Sequence, residues 1–217
     1  MQSIRTAIMA LTFPPRELYY NGQTHPASSG KTFQTINPAT ATPLADIQIA
    51  SHADIDAAIA AGERAFPAWS QTPAIARARI LHKAASLLRE RNDEIARVET
   101  LDSGKAFTET STVDVVTGAD VLEYYANFIG GGGLNGETTQ LREDAWVYTK
   151  KAALGVCAGI GAWNYPIQMY SSPFVRILEN FTNLIHLVPF GNPLLVSLLV
   201  TPWSTSQVNL PLSTLKP

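Results

Sequence analysis

One cysteine, Cys157, stands in 217 residues. An internal disulfide is therefore excluded, and the chain suits a reducing compartment. Charge is scarce and unevenly spread. The net charge is −2 and the pI near 6.1, so there is no basic surplus for a polyanion, and nucleic acid is excluded as a partner class. From Asn180 to Leu215 there is no Asp, Glu, Lys or Arg, whereas Arg89, Glu90, Arg91, Asp93 and Glu94 crowd one short stretch. Their mixed signs read as a solvated helix face. Long apolar runs are missing too. A spanning helix needs about 20 apolar residues, and the best stretch, 184–200, holds His186, Pro189, Gly191, Asn192 and Pro193. Ala7 to Leu11 is too short for a signal-peptide core and is ended by Pro14 and Pro15, which predicts a cytoplasmic protein.

What remains is long enough to bury a real core. Residues 1–16 read as a flexible N-terminus. Asn21-Gly22 marks a hairpin after Leu18, Tyr19 and Tyr20. Asn37-Pro38 and Thr42-Pro43 punctuate further extended pieces, and Ala45 to Ile49 alternates as a half-buried strand does. Ser51 and Asp54 form a helix-capping pair, followed by an apolar stripe through Ile55, Ala58, Ile59 and Phe66. Pro73 opens a second helix whose face is read as Ile75, Ile80, Leu81, Ala84, Leu87 and Leu88. A third runs through Ile95 and Val98 to Ser103-Gly104, and a fourth over residues 107–129 ends at the four glycines Gly130 to Gly133. Strands are predicted near Trp146 to Lys150 and Leu154 to Ala158. The second is apolar on both faces, as the first strand of a parallel sheet should be. Its partners would have to come from downstream. The fold class is α/β. Cys157 lies inside that apolar strand, where an inert thiol is expected.

Gly155 to Gln168 reads Gly-Val-Cys-Ala-Gly-Ile-Gly-Ala-Trp-Asn-Tyr-Pro-Ile-Gln. This stretch resembles the entry to the cofactor domain of the NAD(P)-dependent aldehyde dehydrogenases, in the branch acting on betaine aldehyde and other trimethylammonium aldehydes. Thr35 to Thr40 and Glu99 to Lys105 resemble the same family upstream, so the resemblance covers about residues 16–168. It implies the N-terminal portion of the aldehyde dehydrogenase fold, with an incomplete Rossmann-like cofactor domain and the start of the oligomerisation strands over 17–168. It also implies NAD as cofactor, a small aldehyde as substrate and a homo-oligomeric parent enzyme.

The family's reaction runs through a cysteine thiohemiacetal, hydride transfer to NAD and hydrolysis by a glutamate-activated water. The oxyanion of the first step needs positioned donors. By resemblance one is the side-chain amide of Asn164; the plainer reading is that Asn164 caps a helix beginning at Pro166. Ile160, Gly161, Ala162, Trp163 and Asn164 would line the cofactor cleft. Tyr165 would be one wall of an aromatic box for the substrate's ammonium group, or simply a core tyrosine. Carbonyls at Thr35 or Ile36 and at Asp102 resemble the family's monovalent-cation site, though a turn and a helix end would explain the same residues. The family's reactive cysteine and glutamate would lie beyond residue 217, so this chain is expected to be inactive.

After Gln168 the resemblance stops, and the genetic code supplies a reason. From Phe190 to Lys216, take the third base of each codon with the first two of the next. Permitted codons then spell Trp-Lys-Ser-Ala-Pro-Cys-Leu-Ala-Ala-Gly-Asn-Thr-Met-Val-Tyr-Lys-Pro-Ser-Glu-Phe-Thr-Pro-Leu-His-Ala-Gln, the continuation the family implies. Met169-Tyr170-Ser171 permits a GTATAG splice donor and Leu187-Val188 a TAG acceptor. Joining across them restores Ile-Gln-Ile-Ala-Phe-Trp-Lys in frame. Residues 169–188 are thus read as translated intron and 189–217 as frame-shifted exon, an irregular tail outside the family pattern. The restored Trp falls where the betaine-aldehyde branch keeps a second aromatic of its ammonium box. Two other readings stay open: a non-catalytic partner of full-length subunits joined through the strands near Trp146, and a small membrane-attached protein using residues 184–200.

Overall fold

The computed structural model describes residues 17–158, 162–168 and 184–185. The chain opens with a hairpin of β1 (Leu18–Tyr20) and β2 (Gln23–His25), paired antiparallel. Its two-residue turn puts Asn21 at φ +53° and Gly22 at φ +74°, the left-handed pair that a tight hairpin requires. A second hairpin follows, β3 (Thr32–Asn37) with β4 (Thr42–Gln48), whose register slips between Thr35 and Ile36. Its inward residues, Ala45 and Ile47, are buried.

Helix α1 (His52–Ser70) starts where the sequence predicts. The Ser51 side chain accepts from the Asp54 N–H, and the Asp54 carboxylate accepts from the Ser51 N–H in return, which satisfies two otherwise orphaned donors. Ser28 also donates to Asp54, tying the loop after β2 to this helix start. Helix α2 (Ala74–Glu90) follows Pro73. Its buried face matches the predicted one at Leu81, Ala84 and Leu88 and departs from it elsewhere. Ile75 and Ile80 are exposed, whereas Arg77, Ala78, Leu81, Ala84, Ala85 and Leu88 are buried. Alanines allow α2 to approach its neighbour closely, and a packing seam of small residues outweighs two larger aliphatics on the flank.

Helix α3 (Asn92–Ser103) ends at Gly104, φ +75°. A Cβ there would lie 2.7 Å from Pro38 Cγ, so glycine serves both the left-handed cap and the approach of the β3–β4 turn. The predicted fourth helix is continuous but not uniform. A short α4 (Phe107–Glu109) passes through a π-helical turn, Thr110–Asp114, into α5 (Val115–Gly130). The π turn packs on α3 and turns both Thr110 and Asp114 fully inward. α2 lies along α5, and Ala78, Leu81, Ala85 and Leu88 meet Val115, Ala119, Leu122, Ala126 and Ile129 in one core with Ile95, Ala96 and Val98 of α3. Each fully buried aliphatic of this set contributes about 1.5–3 kcal/mol over exposure.

Beyond the glycines, β5 (Thr138–Arg142) and β6 (Ala145–Tyr148) form a hairpin. The sequence reading had the second strand and missed the first. β5 carries Thr138, Thr139 and Gln140 without a buried face, so no alternation betrays it. Of the predicted apolar strand at 154–158 only β7 (Cys157–Ala158) forms, paired in parallel with β8 (Leu184–Ile185). That partner lies within 169–188, the stretch read from the sequence as translated intron and given no strand. Apart from 184–185, the tail 169–217 lies outside the described residues. No helix among them is long and apolar enough to cross a membrane.

Candidate functional site

The segment 162–168 crosses the end of α3. Residues 166–168 are helical, with Pro166 first, the position that needs no N–H partner. Pro166 and Ile167 are buried, and Ile167 belongs to the helical core. Ala162, Trp163 and Asn164 are exposed and Tyr165 is half-buried. The segment is thus pinned at one end and open along the other. Asn164 stands two residues before the first helical position, not next to it, which weakens the capping reading of its amide.

Asp102, buried at the end of α3, accepts two hydrogen bonds. Thr35 Oγ1 donates to its Oδ1 at 2.5 Å, and Trp163 Nε1 donates to its Oδ2 at 2.8 Å. Burial raises the Asp102 carboxyl above its ordinary range, and those two donors work against the rise. Of the residues resembling a cation site, Thr35 and Asp102 are therefore in contact. The side chain of Ile36 points outward, half exposed, beside the register slip in β3. Among the described residues no cluster of three His, Cys, Asp or Glu side chains is placed to hold a metal ion.

Lys105 lies just past the Gly104 cap. Its ammonium is 2.7 Å from Asp114 Oδ2 and 3.2 Å from Glu109 Oε1. It also sits over the Tyr165 ring, 3.5 Å from the centroid. One face of Tyr165 is therefore already taken by a cation of the protein. Behind it, Glu99 and Asp114 are both fully buried. Neither Glu99 oxygen nor Asp114 Oδ1 finds a side-chain donor among the described residues, so a proton retained on Glu99 is what lets the two carboxyls face each other. Burial, and next the charge on Asp114, pushes the Glu99 carboxyl up to about 8, against a smaller opposing pull from the Ile167 N–H.

The geometry thus gathers Asp102, Trp163, Asn164 and Tyr165 of the predicted site, with Ala162 beside them. Ile160 and Gly161 lie outside the described residues. Sequence reasoning missed Lys105 and Glu99. The available signal was partial: Glu99 and Asp102 stand three apart on one face of a helix, whereas Lys105 lies beyond the Gly104 cap, where helical spacing says nothing. Cys157 is partly buried and unpaired with sulfur.

Residues 25–179 match the sequence family described as "Aldehyde dehydrogenase family". Among solved structures, gamma-glutamyl-gamma-aminobutyraldehyde dehydrogenase from Burkholderia cenocepacia J2315 is 30% identical, with a TM-score of 0.78 over 85% of this chain and 37% of that one. The aldehyde dehydrogenase KauB from Pseudomonas aeruginosa is 26% identical, with a TM-score of 0.81 over 91% of this chain and 40% of that one. PnpE, solved in complex with nicotinamide adenine dinucleotide, is 27% identical, with a TM-score of 0.78 over 86% and 39%. The chain spans well under half the length of each.

Proposed function

The chain belongs to the aldehyde dehydrogenase family, and from that premise we propose that residues 17–168 are the opening part of an NAD-dependent enzyme for betaine aldehyde or a similar trimethylammonium aldehyde. The observation that carries this reading is Asn164, exposed between two held aromatic neighbours, Trp163 and Tyr165. Its side chain is exposed while the side chains of both neighbours are engaged, which suits a preorganised oxyanion donor. The exposed run Ala162, Trp163 and Asn164 suits one edge of a cofactor cleft, with Ile160 and Gly161 expected to continue it. NAD, when bound, supplies the hydride acceptor. The face of Tyr165 not covered by Lys105 is left for a substrate ammonium group.

The 217-residue chain by itself is proposed to be inactive. Its one thiol, Cys157, sits in β7, and without an activated nucleophile no thiohemiacetal forms. The hidden reading frame after Phe190 supports the same view: residues 169–188 as translated intron, the rest as shifted exon. The test compares two purified proteins with betaine aldehyde and NAD. The chain as it stands is expected to give no NADH, and a version whose coding sequence joins Gln168 to Ile-Ala-Phe-Trp-Lys and continues in the restored frame is expected to be active. NADH from the first, or none from a folded, NAD-binding version of the second, would overturn the proposal.

One further observation favours a second reading. Leu141, Trp146, Val147 and Tyr148 on the β5–β6 hairpin are all exposed, and a two-stranded hairpin with uncovered apolar side chains is marginal alone. It would suit a non-catalytic partner that joins full-length subunits through this hairpin. Co-expression with the restored enzyme is expected to give a mixed oligomer that Trp146→Ser and Tyr148→Ser together abolish. Independent migration of the two unsubstituted chains would refute it.

A further inference from the structure

Two residues at one end of α3 each meet one residue of the segment that carries Asn164, and core packing holds a third. Asp102 takes the indole N–H of Trp163, Lys105 takes the ring face of Tyr165, and Ile167 is buried in the helical core. The held residues alternate along the segment, at 163, 165 and 167, and Asn164 falls between the first two. We infer that Lys105, acting through the Tyr165 ring and together with Asp102, is a positioning residue that fixes where the Asn164 amide stands. The catalytic meaning of that position rests on the function proposed above; the immobilisation does not.

The physical case turns on how well Lys105 is itself held. Asp114 and Glu109 fix its ammonium from two sides, and Asp114 is anchored in the π turn against α3. The ammonium is therefore a rigid point, and only 16% of the Lys105 side chain is exposed. A cation held out of water over an aromatic face attracts it more strongly than one at an exposed site. Tyr165 is only half-buried, so apolar packing does not fix the ring alone. The arrangement places the grip on the neighbours of Asn164 and leaves its amide unencumbered. An oxyanion donor misplaced by about 1 Å loses much of its effect, which is why holding it from both sides matters.

The test uses the 217-residue chain and reads amide hydrogen exchange peptide by peptide. Tyr165→Phe keeps the ring, and Tyr165→Leu removes it. Leucine is expected to speed exchange over residues 162–168 by about 5- to 30-fold, the range such a contact supports. Phenylalanine is expected to leave it within about twofold, and the α2 and α5 amides should not change in either. Equal exchange in Y165L and the unsubstituted chain would overturn the inference, as would an equal acceleration in α2 and α5. Should Y165L not fold, the unsubstituted chain decides it: ring current is expected to move the Lys105 Hε protons upfield of those of the other lysines, and ordinary shifts would refute the contact. Failure of the functional reading shows elsewhere. Asn164→Ala in the frame-restored enzyme would leave its turnover intact while the exchange result stands.

Discussion

Lys105→Met is expected to lower the unfolding free energy by about 3 kcal/mol at pH 7, the lower end of the range for breaking a buried ion pair. The reason is Asp114, which is fully buried and has Lys105 as its ion-pair partner at 2.7 Å. Methionine keeps the length and the apolar stem but removes the charge. Asp114 would then sit beside Glu99 without the ammonium that pairs with it, and the structure would have to bury a less compensated carboxylate or protonate it. The lower end applies because Lys105 keeps some exposure and Glu109, its second partner, is half exposed. Lys105→Met combined with Asp114→Asn removes both charges and is expected to recover part of the loss, because no buried charge is then left uncompensated. Urea unfolding measures both, with the midpoint shifting at constant slope. A loss below about 1 kcal/mol in the single variant would mean that the pair is solvated, as exposed ion pairs are.

How much of this was legible beforehand differs by element. The α1 start was plain, because Ser51 and Asp54 are a local device whose spacing alone specifies the geometry. Asn21-Gly22 and Gly104 were plain for the same reason: each conformation is dictated by one or two residues. The face of α2 was plain only in part: Leu81, Ala84 and Leu88 are inward as read, Ile75 and Ile80 are not. Ile75 and Ile80 are the larger aliphatics, and a reading by hydrophobicity puts them inward, yet Ala78, Ala85 and their partners Ala119 and Ala126 set the seam. Which face of a helix is buried depends on what it meets, and α5 lies some forty residues downstream. The π turn at Thr110–Asp114 was invisible for a similar reason, since its buried polar residues answer to α3 and Lys105, not to local propensity.

The candidate site divides the same way. Asn164, Trp163 and Tyr165 were named from the motif they sit in, and Asp102 from the segment resembling a cation site. That Asp102 touches Trp163, 61 residues away in sequence, is a tertiary fact. Lys105 over Tyr165 is another. The two quoted motifs, Glu99 to Lys105 and Gly155 to Gln168, turn out to be two sides of one contact, which explains in physical terms why they occur together in one chain.

Glu99 sets the second large expectation, a stability that falls as pH rises through the neutral range. Its carboxyl stands at about 8 in the folded chain against an ordinary value of 4.5. Between those values the folded state holds a proton that the unfolded state has released, so the unfolding free energy declines with pH. The contribution is fully present below about pH 4.5, drains away as pH rises toward 8, and levels off above it. The groups facing Glu99 fit this window. Burial, and next the charge on Asp114, keeps Glu99 neutral, and Lys105 remains cationic throughout, since against the lowering by burial Asp114 and Glu109 raise its value. Asp54, held low by its bonds to Ser51 and Ser28, titrates on the acid side of the window. Glu99→Gln replaces the protonated carboxyl by a neutral group of the same shape that cannot ionise. The variant is expected to unfold at nearly the same temperature from pH 6 to 8.5, while the unsubstituted chain loses stability at a rate approaching 1.4 kcal/mol per pH unit between about pH 6 and 7 and ever more slowly through 8. The two curves should converge near pH 5 and stand farthest apart at pH 8.5, with the variant the more stable. Parallel curves would place the titrating group elsewhere. A variant less stable than the unsubstituted chain at pH 8.5 would mean that Glu99 is ionised in the fold and paired with Lys105, and the shared-proton arrangement with Asp114 would have to be abandoned.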